Sequence, residues 1–134
     1  MSTALTTGEV ADRAGVNLQT VRYYERRGLI PEPPRSAGGF RQYGPDAVRR
    51  IRFVKRAQEL GFSLDEVDEL LTLRADADGQ AAEVRELALA KVDDIAGKIR
   101  DLERMRASLD ALAAACGGQG STADCSILHA LDDD

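Results

Sequence analysis

Two cysteines near the end of the chain are the residues whose type and spacing best suit metal chemistry. Cys116 and Cys125 are the only cysteines in 134 residues, and a glycine-containing stretch, residues 117–124, separates them. Thiolates bind soft ions such as Cu(I), Zn(II), Cd(II) and Hg(II), and glycine lets the backbone fold around an ion. The pair therefore predicts a site for one soft metal ion, the alternative being two incidental small apolar residues.

His129 is the single histidine and lies four residues after Cys125, about one helical turn away. At this spacing it is either a further ligand or a surface residue, and Asp124 and the acidic tail 132–134 are either oxygen ligands or solvated charges. A thiol enzyme with Cys125 as nucleophile and His129 as base would also need an orienting acid and an oxyanion hole. No pattern in the sequence supplies them, so we do not expect an enzyme.

The first thiol follows a long predicted helix, residues 81–115, which contains no proline and one glycine. At 1.5 Å per residue such a helix is roughly 50 Å long, more than a core of this size covers. Apolar residues recur along it at alternating spacings of four and three, with Arg106 as the polar exception: Ala88, Val92, Ile95, Ile99, Leu102, Leu109 and Ala113. This heptad pattern predicts a coiled coil with a second copy in a homodimer, the alternative being a helix folded back on the N-terminal half.

Charge divides the chain into two halves of opposite sign. Residues 1–56 carry eleven Lys or Arg against five Asp or Glu, whereas residues 57–134 carry seven against eighteen. A basic surface suits a polyanion such as double-stranded DNA, although a solvated basic surface would have the same composition. We expect the acidic half to lie away from DNA.

The basic half begins with the pattern of a helix-turn-helix. A predicted helix at 7–14 ends at a glycine, and Asn17 is a suitable N-cap for a second helix, 18–27. Val21 and Tyr24 would face inward from this second helix.

A wing is predicted directly after these helices. Prolines and glycines exclude a helix from residues 30–43, which end in a hairpin tip and a short strand, Phe40–Tyr43. Arg35 and Arg41 suit a wing that lies against the phosphate backbone or in the minor groove.

Three further helices complete the prediction. Pro45 suits the first turn of a helix at 45–60, a capping box at Ser63–Glu66 begins another at 64–73, and a short one follows Cys125 at 126–131. The expected fold is mainly α, with a winged helix-turn-helix domain at 1–73, a dimerisation helix at 81–115 and a metal-binding loop with a short helix at 116–134.

Composition excludes several other classes. The chain is 43% hydrophobic, which is too apolar for a disordered protein, and no run approaches the roughly 18 apolar residues that a membrane span needs. The first fifteen residues lack a secretory pattern, so we expect a cytoplasmic protein whose cysteines are thiols.

These segments, in this order, resemble the MerR family of bacterial transcription regulators. The likeness is carried by VNLQTVRYYERRGL (16–29), GGFRQY (38–43) and GFSLDE (61–66), and the long helix and cysteine-flanked loop extend it over nearly the whole chain. The heavy-metal-responsive branch is the most similar. Multidrug-sensing relatives carry a large C-terminal ligand domain, for which too few residues follow the loop, and the redox-sensing iron–sulfur branch uses four cysteines where this sequence has two.

The resemblance implies a dimer that binds a near-palindromic operator inside an overlong promoter spacer. Metal binding then distorts the DNA so that RNA polymerase holoenzyme engages both promoter elements. The DNA-contacting residues that it implies are Asn17, Gln19, Thr20, Arg22 and Tyr23 in the major groove, Tyr24, Arg41 and Tyr43 at the backbone, and Lys55 or Arg56 from the third helix.

The resemblance also assigns Cys116 and Cys125 as metal ligands. Relatives that sense divalent ions usually carry a further cysteine at the start of the long helix, where this chain has Ala81. Copper-sensing relatives lack it and hold a monovalent ion between two thiolates, which favours Cu(I) or Ag(I). The eight residues between the cysteines are instead typical of the divalent branch, so Zn(II), Hg(II), Cd(II) or Pb(II) is the alternative.

A ligand-independent architectural DNA-binding protein would use the same fold. Its cysteines would be incidental, and it would distort DNA equally with and without metal. Thiol alkylation distinguishes the two classes, because only the metal-responsive activator would lose its regulation.

Overall fold

A computed structural model describes residues 4–133, which form six α-helices joined by short turns. The helices are α1 (Thr7–Ala14), α2 (Leu18–Arg26), α3 (Pro45–Glu59), α4 (Leu64–Ala75), α5 (Ala81–Ala115) and α6 (Ser126–Asp132), and a 3-10 turn, Thr122–Asp124, precedes α6. The predicted mainly helical fold is confirmed, with every helix end within two residues of its expected position. Residues 1–3 and Asp134, which belong to the predicted N-terminal domain and C-terminal segment, lie outside this description.

Side-chain caps fix where the short helices begin. Asn17 Oδ1 accepts the backbone N–H of Thr20 at 2.8 Å, as its predicted N-cap role requires. Ser63 and Glu66 form the predicted capping box of α4, in which each side chain accepts the other residue's backbone N–H. These caps satisfy N–H groups that have no partner inside the helix, so they set the entry point of each helix.

Helices α1 to α4 enclose one apolar core. Its members come from every one of these helices and from the segments before α1 and after α2, and they are Leu5, Val10, Ala11, Ala14, Val21, Tyr24, Leu29, Ile30, Tyr43, Val48, Ile51, Val54, Ala57, Val67 and Leu71. Val21 and Tyr24 face inward from α2, as predicted. The core therefore fixes which face of α2 remains outside.

Three cations on α3 bind backbone carbonyls of the helix-turn-helix. Arg52 donates to the Arg13 carbonyl at 3.2 and 2.5 Å, and Lys55 donates to the Gly15 carbonyl at 3.0 Å. Arg50 donates to the carbonyl of Leu29 at 2.6 Å. Cations at these positions satisfy carbonyls left open at helix C-termini and complement the negative end of the helix dipole. They join α3 to the ends of the two preceding helices.

The wing is a hairpin, but the expected strand is not formed. Within residues 4–133 its pairing is limited to the isolated bridges of Leu5 with Tyr43 and of Arg35 with Arg41. Successive side chains still differ in exposure, since Tyr43 is buried while Phe40 and Gln42 are exposed. Arg41 and Tyr43 each pair with a different segment, and each segment supplies a single bridged residue. A strand needs several paired residues in succession, so none forms here.

The chain divides into two compact units, Met1–Leu87 and Ala88–Asp134, so the first turns of α5 group with the N-terminal unit. Along the rest of α5 the heptad side chains are exposed, for example Val92 at 58%, Leu102 at 61% and Leu109 at 62%. Among the residues described, no helix is both long and apolar enough to cross a membrane.

Candidate functional site

The outer face of α2 carries a polar surface. Asn17, Gln19, Arg22 and Tyr23 are exposed there, whereas Thr20 is half-buried and its hydroxyl donates to Asn17 Oδ1 at 3.0 Å. These are the five residues predicted for the major groove, and the structure places four of them on α2 and Asn17 at its N-cap. Their donors and acceptors suit base edges, and the width of the helix suits the major groove.

Tyr24 lies on the opposite face of the same helix. Its ring is 3% exposed, and its hydroxyl donates to Oε1 of Gln58 on α3 at 2.6 Å. Burial raises the pKa of Tyr24, and the nearby charge of Glu59 adds to the increase. The structure thus places this predicted backbone-gripping residue between α2 and α3.

Glu25 joins α2 to the wing. Its side chain is 7% exposed and accepts from Nε of Arg41 at 3.2 Å and from the hydroxyl of Tyr43 at 3.2 Å. The hydrogen bond from Arg41 to Glu25 is the largest of several causes that raise the pKa of the guanidinium. Glu25 was not predicted as a functional residue. The one indication of its role in the sequence is that it is an acidic residue within the basic helix α2.

A shallow, mostly basic notch of about 250 Å³ lies between α2 and the wing. It is lined by Arg22, Arg26 and Arg41 together with Glu25 and Glu32. Guanidinium groups bind phosphate oxygens bidentately, so this notch suits one phosphate of a nucleic-acid backbone.

Two exposed residues flank this surface. Phe40 at the wing tip is 75% exposed, and its ring lies over Gly38, where an added Cβ would come within 3.3 Å of it. Arg56 is exposed on α3, whereas the neighbouring Lys55 is half-buried and donates to the Gly15 carbonyl. Of the two residues predicted to reach phosphates from α3, Arg56 is therefore the more accessible. Phe40 was not predicted as a contact.

The two cysteines meet at the other end of the chain. Cys116 follows the last residue of α5 and Cys125 precedes the first residue of α6, and their sulfurs are 3.8 Å apart. Both thiols are free and half-buried. In the intervening loop Gly118 and Gly120 have positive φ angles of 73° and 88°, which favour glycine.

The start of α6 stabilises one of the thiols as an anion. The backbone N–H of Leu128 is the largest cause that lowers the pKa of Cys125, and burial opposes it. Hydrogen bonds from the Ile127 N–H and the Cys116 thiol lower the pKa further. Cys125 is therefore predisposed to the thiolate form that binds metals.

The predicted auxiliary ligands are not gathered around the thiols. His129 Nε2 lies 2.7 Å from the carbonyl oxygen of Ala123, so the imidazole links α6 to the 3-10 turn. Asp124 Oδ2 accepts from the Ser121 hydroxyl at 3.4 Å. Within residues 4–133 no group of three or more His, Cys, Asp or Glu side chains is placed to hold a metal ion.

The sulfur separation fits a shared metal ion. Sulfurs that bind one ion with bonds of about 2.3 Å lie about 3.8 Å apart in tetrahedral geometry and about 4.6 Å apart in a linear arrangement. The observed 3.8 Å equals the first value and needs a small opening to reach the second. The separation is compatible with one soft ion shared by the two sulfurs, and the assignment of Cys116 and Cys125 as ligands stays a prediction.

A comparison with known proteins decides the family. The family model described as MerR HTH family regulatory protein matches residues 5–73, and the one described as MerR, DNA binding matches residues 48–112. This chain belongs to the MerR family. It is thus a DNA-binding regulator with a helix-turn-helix, as the resemblance implied.

Several MerR-family relatives match nearly end to end. A mercuric resistance operon regulatory protein from Serratia marcescens is 45% identical over 95% of this chain and 87% of its own length. The lead(II)-bound crystal structure of a transcription regulator from Ralstonia metallidurans is 34% identical, with a TM-score of 0.83, and the match covers 95% of this chain and 98% of that one. A mercury(II)-bound MerR structure from Bacillus megaterium is 38% identical with a TM-score of 0.71, covering 96% and 100%.

Proposed function

We propose that this MerR-family chain is a metal-responsive transcription activator. A homodimer binds a palindromic promoter operator, and a thiophilic ion held by Cys116 and Cys125 switches it to the activating state. The observation that carries this proposal is the 3.8 Å approach of two half-buried thiols at the junction of α5 and α6. Relatives named for mercuric resistance and relatives crystallised with lead(II) or mercury(II) support it.

The DNA-reading surface would combine base and phosphate contacts. Asn17, Gln19, Thr20, Arg22 and Tyr23 would reach base edges from α2, while Arg41 and Arg56 would bind phosphates. Tyr24, Tyr43 and Lys55 have polar groups engaged with Gln58, Glu25 and Gly15. We propose that these three hold the helices and the wing at the spacing that the backbone requires.

Dimerisation would use the apolar heptad side chains of α5. Ile99 and Leu102 are 50% and 61% exposed, an arrangement that a second copy of the helix would bury. Leu102→Glu should convert the dimer to a monomer in sedimentation, and Ala107→Glu, which makes the same charge change off the stripe, should not. A monomeric wild-type protein at working concentration would exclude the proposal.

The ion itself is inferred from the donor number. Among residues 4–133 the two thiols have no third His, Cys, Asp or Glu side chain grouped with them to hold an ion. Two thiolates suit an ion that accepts two soft ligands, which favours Cu(I) or Ag(I). Hg(II) is the second candidate, because it is also held by two thiolates and the relatives include mercuric resistance regulators. Zn(II), Cd(II) and Pb(II) would need further ligands from water or a partner subunit.

Activation would require RNA polymerase holoenzyme at the same promoter. The metal-bound dimer would kink and untwist the operator, so that the two promoter elements come into register. Such coupling requires the metal to favour one of two DNA-bound states.

A promoter reporter with a metal panel tests the function. We expect induction by Cu(I) and Ag(I), or by Hg(II) for the second candidate, and loss of induction in Cys116→Ser and Cys125→Ser. Ser121→Ala, in the same loop, is the control and should respond normally. A full metal response in either cysteine variant would show that the site assignment is wrong, whereas equal DNA distortion with and without metal would favour the architectural alternative.

A further inference from the structure

The cysteine pair has a second chemistry that does not involve a metal. The two sulfurs are 3.8 Å apart within one chain, and both thiols are half-buried rather than sealed. A disulfide has a sulfur–sulfur length of about 2.05 Å, so the sulfurs must approach by a little under 2 Å. We propose that Cys116 and Cys125 form a reversible intrachain disulfide on exposure to a hydroperoxide, and that this modification disables the metal site.

The loop permits this approach. The eight residues between the cysteines include Gly117, Gly118 and Gly120, and an added Cβ at any of the three would meet nothing within 4 Å. The backbone at these three glycines is therefore uncrowded, and glycine has few steric restrictions on its φ and ψ angles. A short loop also keeps the two sulfurs at high effective concentration, which favours an intrachain bond over one between chains.

The reaction consumes one hydroperoxide and both thiols. The first sulfur attacks the terminal peroxide oxygen, the O–O bond breaks, and an alcohol or water leaves with a proton as the sulfur becomes a sulfenic acid. The second thiol then attacks that sulfur, the S–O bond breaks, and water leaves as the S–S bond forms. The two thiols supply two electrons and both protons, and the peroxide is reduced.

The consequence for regulation follows from the donor set. Thiolates are the metal ligands, and a disulfide has none to offer. Residues 4–133 contain no group of three or more His, Cys, Asp or Glu side chains placed to hold a metal ion. The oxidised protein therefore has no alternative metal site of three or more such ligands within these residues. The inference rests on the proposed metal function for its regulatory meaning, but disulfide formation itself can be measured without metal.

The test uses the metal-free full-length protein treated with stoichiometric hydrogen peroxide. We expect free thiols to fall from two per chain to none, the intact mass to fall by two hydrogens, and the chain to remain monomeric in non-reducing denaturing electrophoresis. Dithiothreitol should restore both thiols. Protein preloaded with Ag(I) or Hg(II) should retain them, because the ion occupies both sulfurs.

Cys116→Ser and Cys125→Ser keep the test decisive. Each variant should stop at a sulfenic acid that a dimedone probe labels, whereas the wild type should not accumulate that label. Persistence of two free thiols, covalent dimers, or direct overoxidation to sulfinic acid in the wild type would overturn the proposal.

A metal-binding assay on the oxidised protein separates the two proposals. Binding should fall from one ion per chain to none. If the intrachain disulfide forms but binding is unchanged, the cysteines are not the metal ligands, so the inferred block on the metal site and the proposed function both fail. If the reduced protein binds the metals that induce the reporter but no disulfide forms, only the redox inference fails.

Discussion

The buried carboxylate of Glu25 on α2 accepts a hydrogen bond from Nε of Arg41 at 3.2 Å, and this contact joins α2 to the wing. The Tyr43 hydroxyl donates to the other oxygen of the same carboxylate. Two elements of the proposed DNA-binding surface, α2 and the wing, are thereby held in one relative orientation. One acidic residue thus organises two basic elements that would otherwise repel each other.

Glu25→Gln should weaken both stability and operator binding. The change removes the charge from two hydrogen bonds while keeping the side-chain shape, and we expect a loss of about 1.5–3 kcal/mol in the free energy of unfolding. Urea denaturation measures this, and a footprint at the wing reports the loosened hairpin. Glu32→Gln, an exposed carboxylate in the same notch, should change stability by less than about 0.5 kcal/mol. Equal effects of the two variants would contradict the positioning role.

Lys55 and Arg56 should separate stability from DNA binding. Lys55→Met removes the donor to the Gly15 carbonyl and should cost about 0.5–1 kcal/mol of unfolding free energy. Arg56→Met should leave stability nearly unchanged but lower the slope of log operator affinity against log salt by about 1. Denaturation and salt-dependent binding should be measured on both variants. The reverse pattern would show that Lys55 is the phosphate contact and Arg56 the structural cation.

The thiol of Cys125 should titrate below the usual range. The Leu128 N–H, which is the largest cause of the lowered pKa of Cys125, is still present in Cys116→Ser. The midpoint of iodoacetamide alkylation against pH should therefore lie below about 8.5, the value of a free cysteine, and return to it in urea. Because the folded pKa is the lower one, the stabilising contribution of the thiolate is present above the unfolded pKa and lost as pH falls through the folded one. A midpoint identical in folded and unfolded protein would contradict this assignment.

Ser126→Ala should stabilise the metal-free protein. The Ser126 hydroxyl, next to Cys125, is buried and has no hydrogen-bond partner within the described part of the chain. Its removal relieves an uncompensated polar group, and we expect the free energy of unfolding to rise by about 1 kcal/mol. Ser121→Ala, at an exposed hydroxyl in the adjoining loop, should be nearly neutral. A destabilised Ser126→Ala would mean that the hydroxyl has a partner in solution.

Most of the helices could be predicted from the sequence, because helix caps and apolar periodicity depend on residues close together in the chain. Asn17 and Ser63 cap helices through side chains three residues from their targets, and positive φ at Gly118 and Gly120 marks the loop between the cysteines. Helix periodicity and caps act over a few residues, so the helix ends were predicted to within two positions. The predicted strand Phe40–Tyr43 was wrong, because a strand depends on pairing partners and residue propensity does not supply them.

The sequence by itself determined the elements from which the proposed sites are built: a basic helix-turn-helix, one heptad helix and two cysteines separated by a glycine-containing loop. Only the tertiary structure decided which side chains remain accessible, since Tyr24, Tyr43 and Lys55 turn toward Gln58, Glu25 and Gly15 across distances of 18 to 40 residues in the chain. It also decided that the two sulfurs approach to 3.8 Å while His129 binds a backbone carbonyl instead. The physical reason is that caps and periodicity act between near neighbours, whereas the partner of a long side chain is set by packing between distant segments.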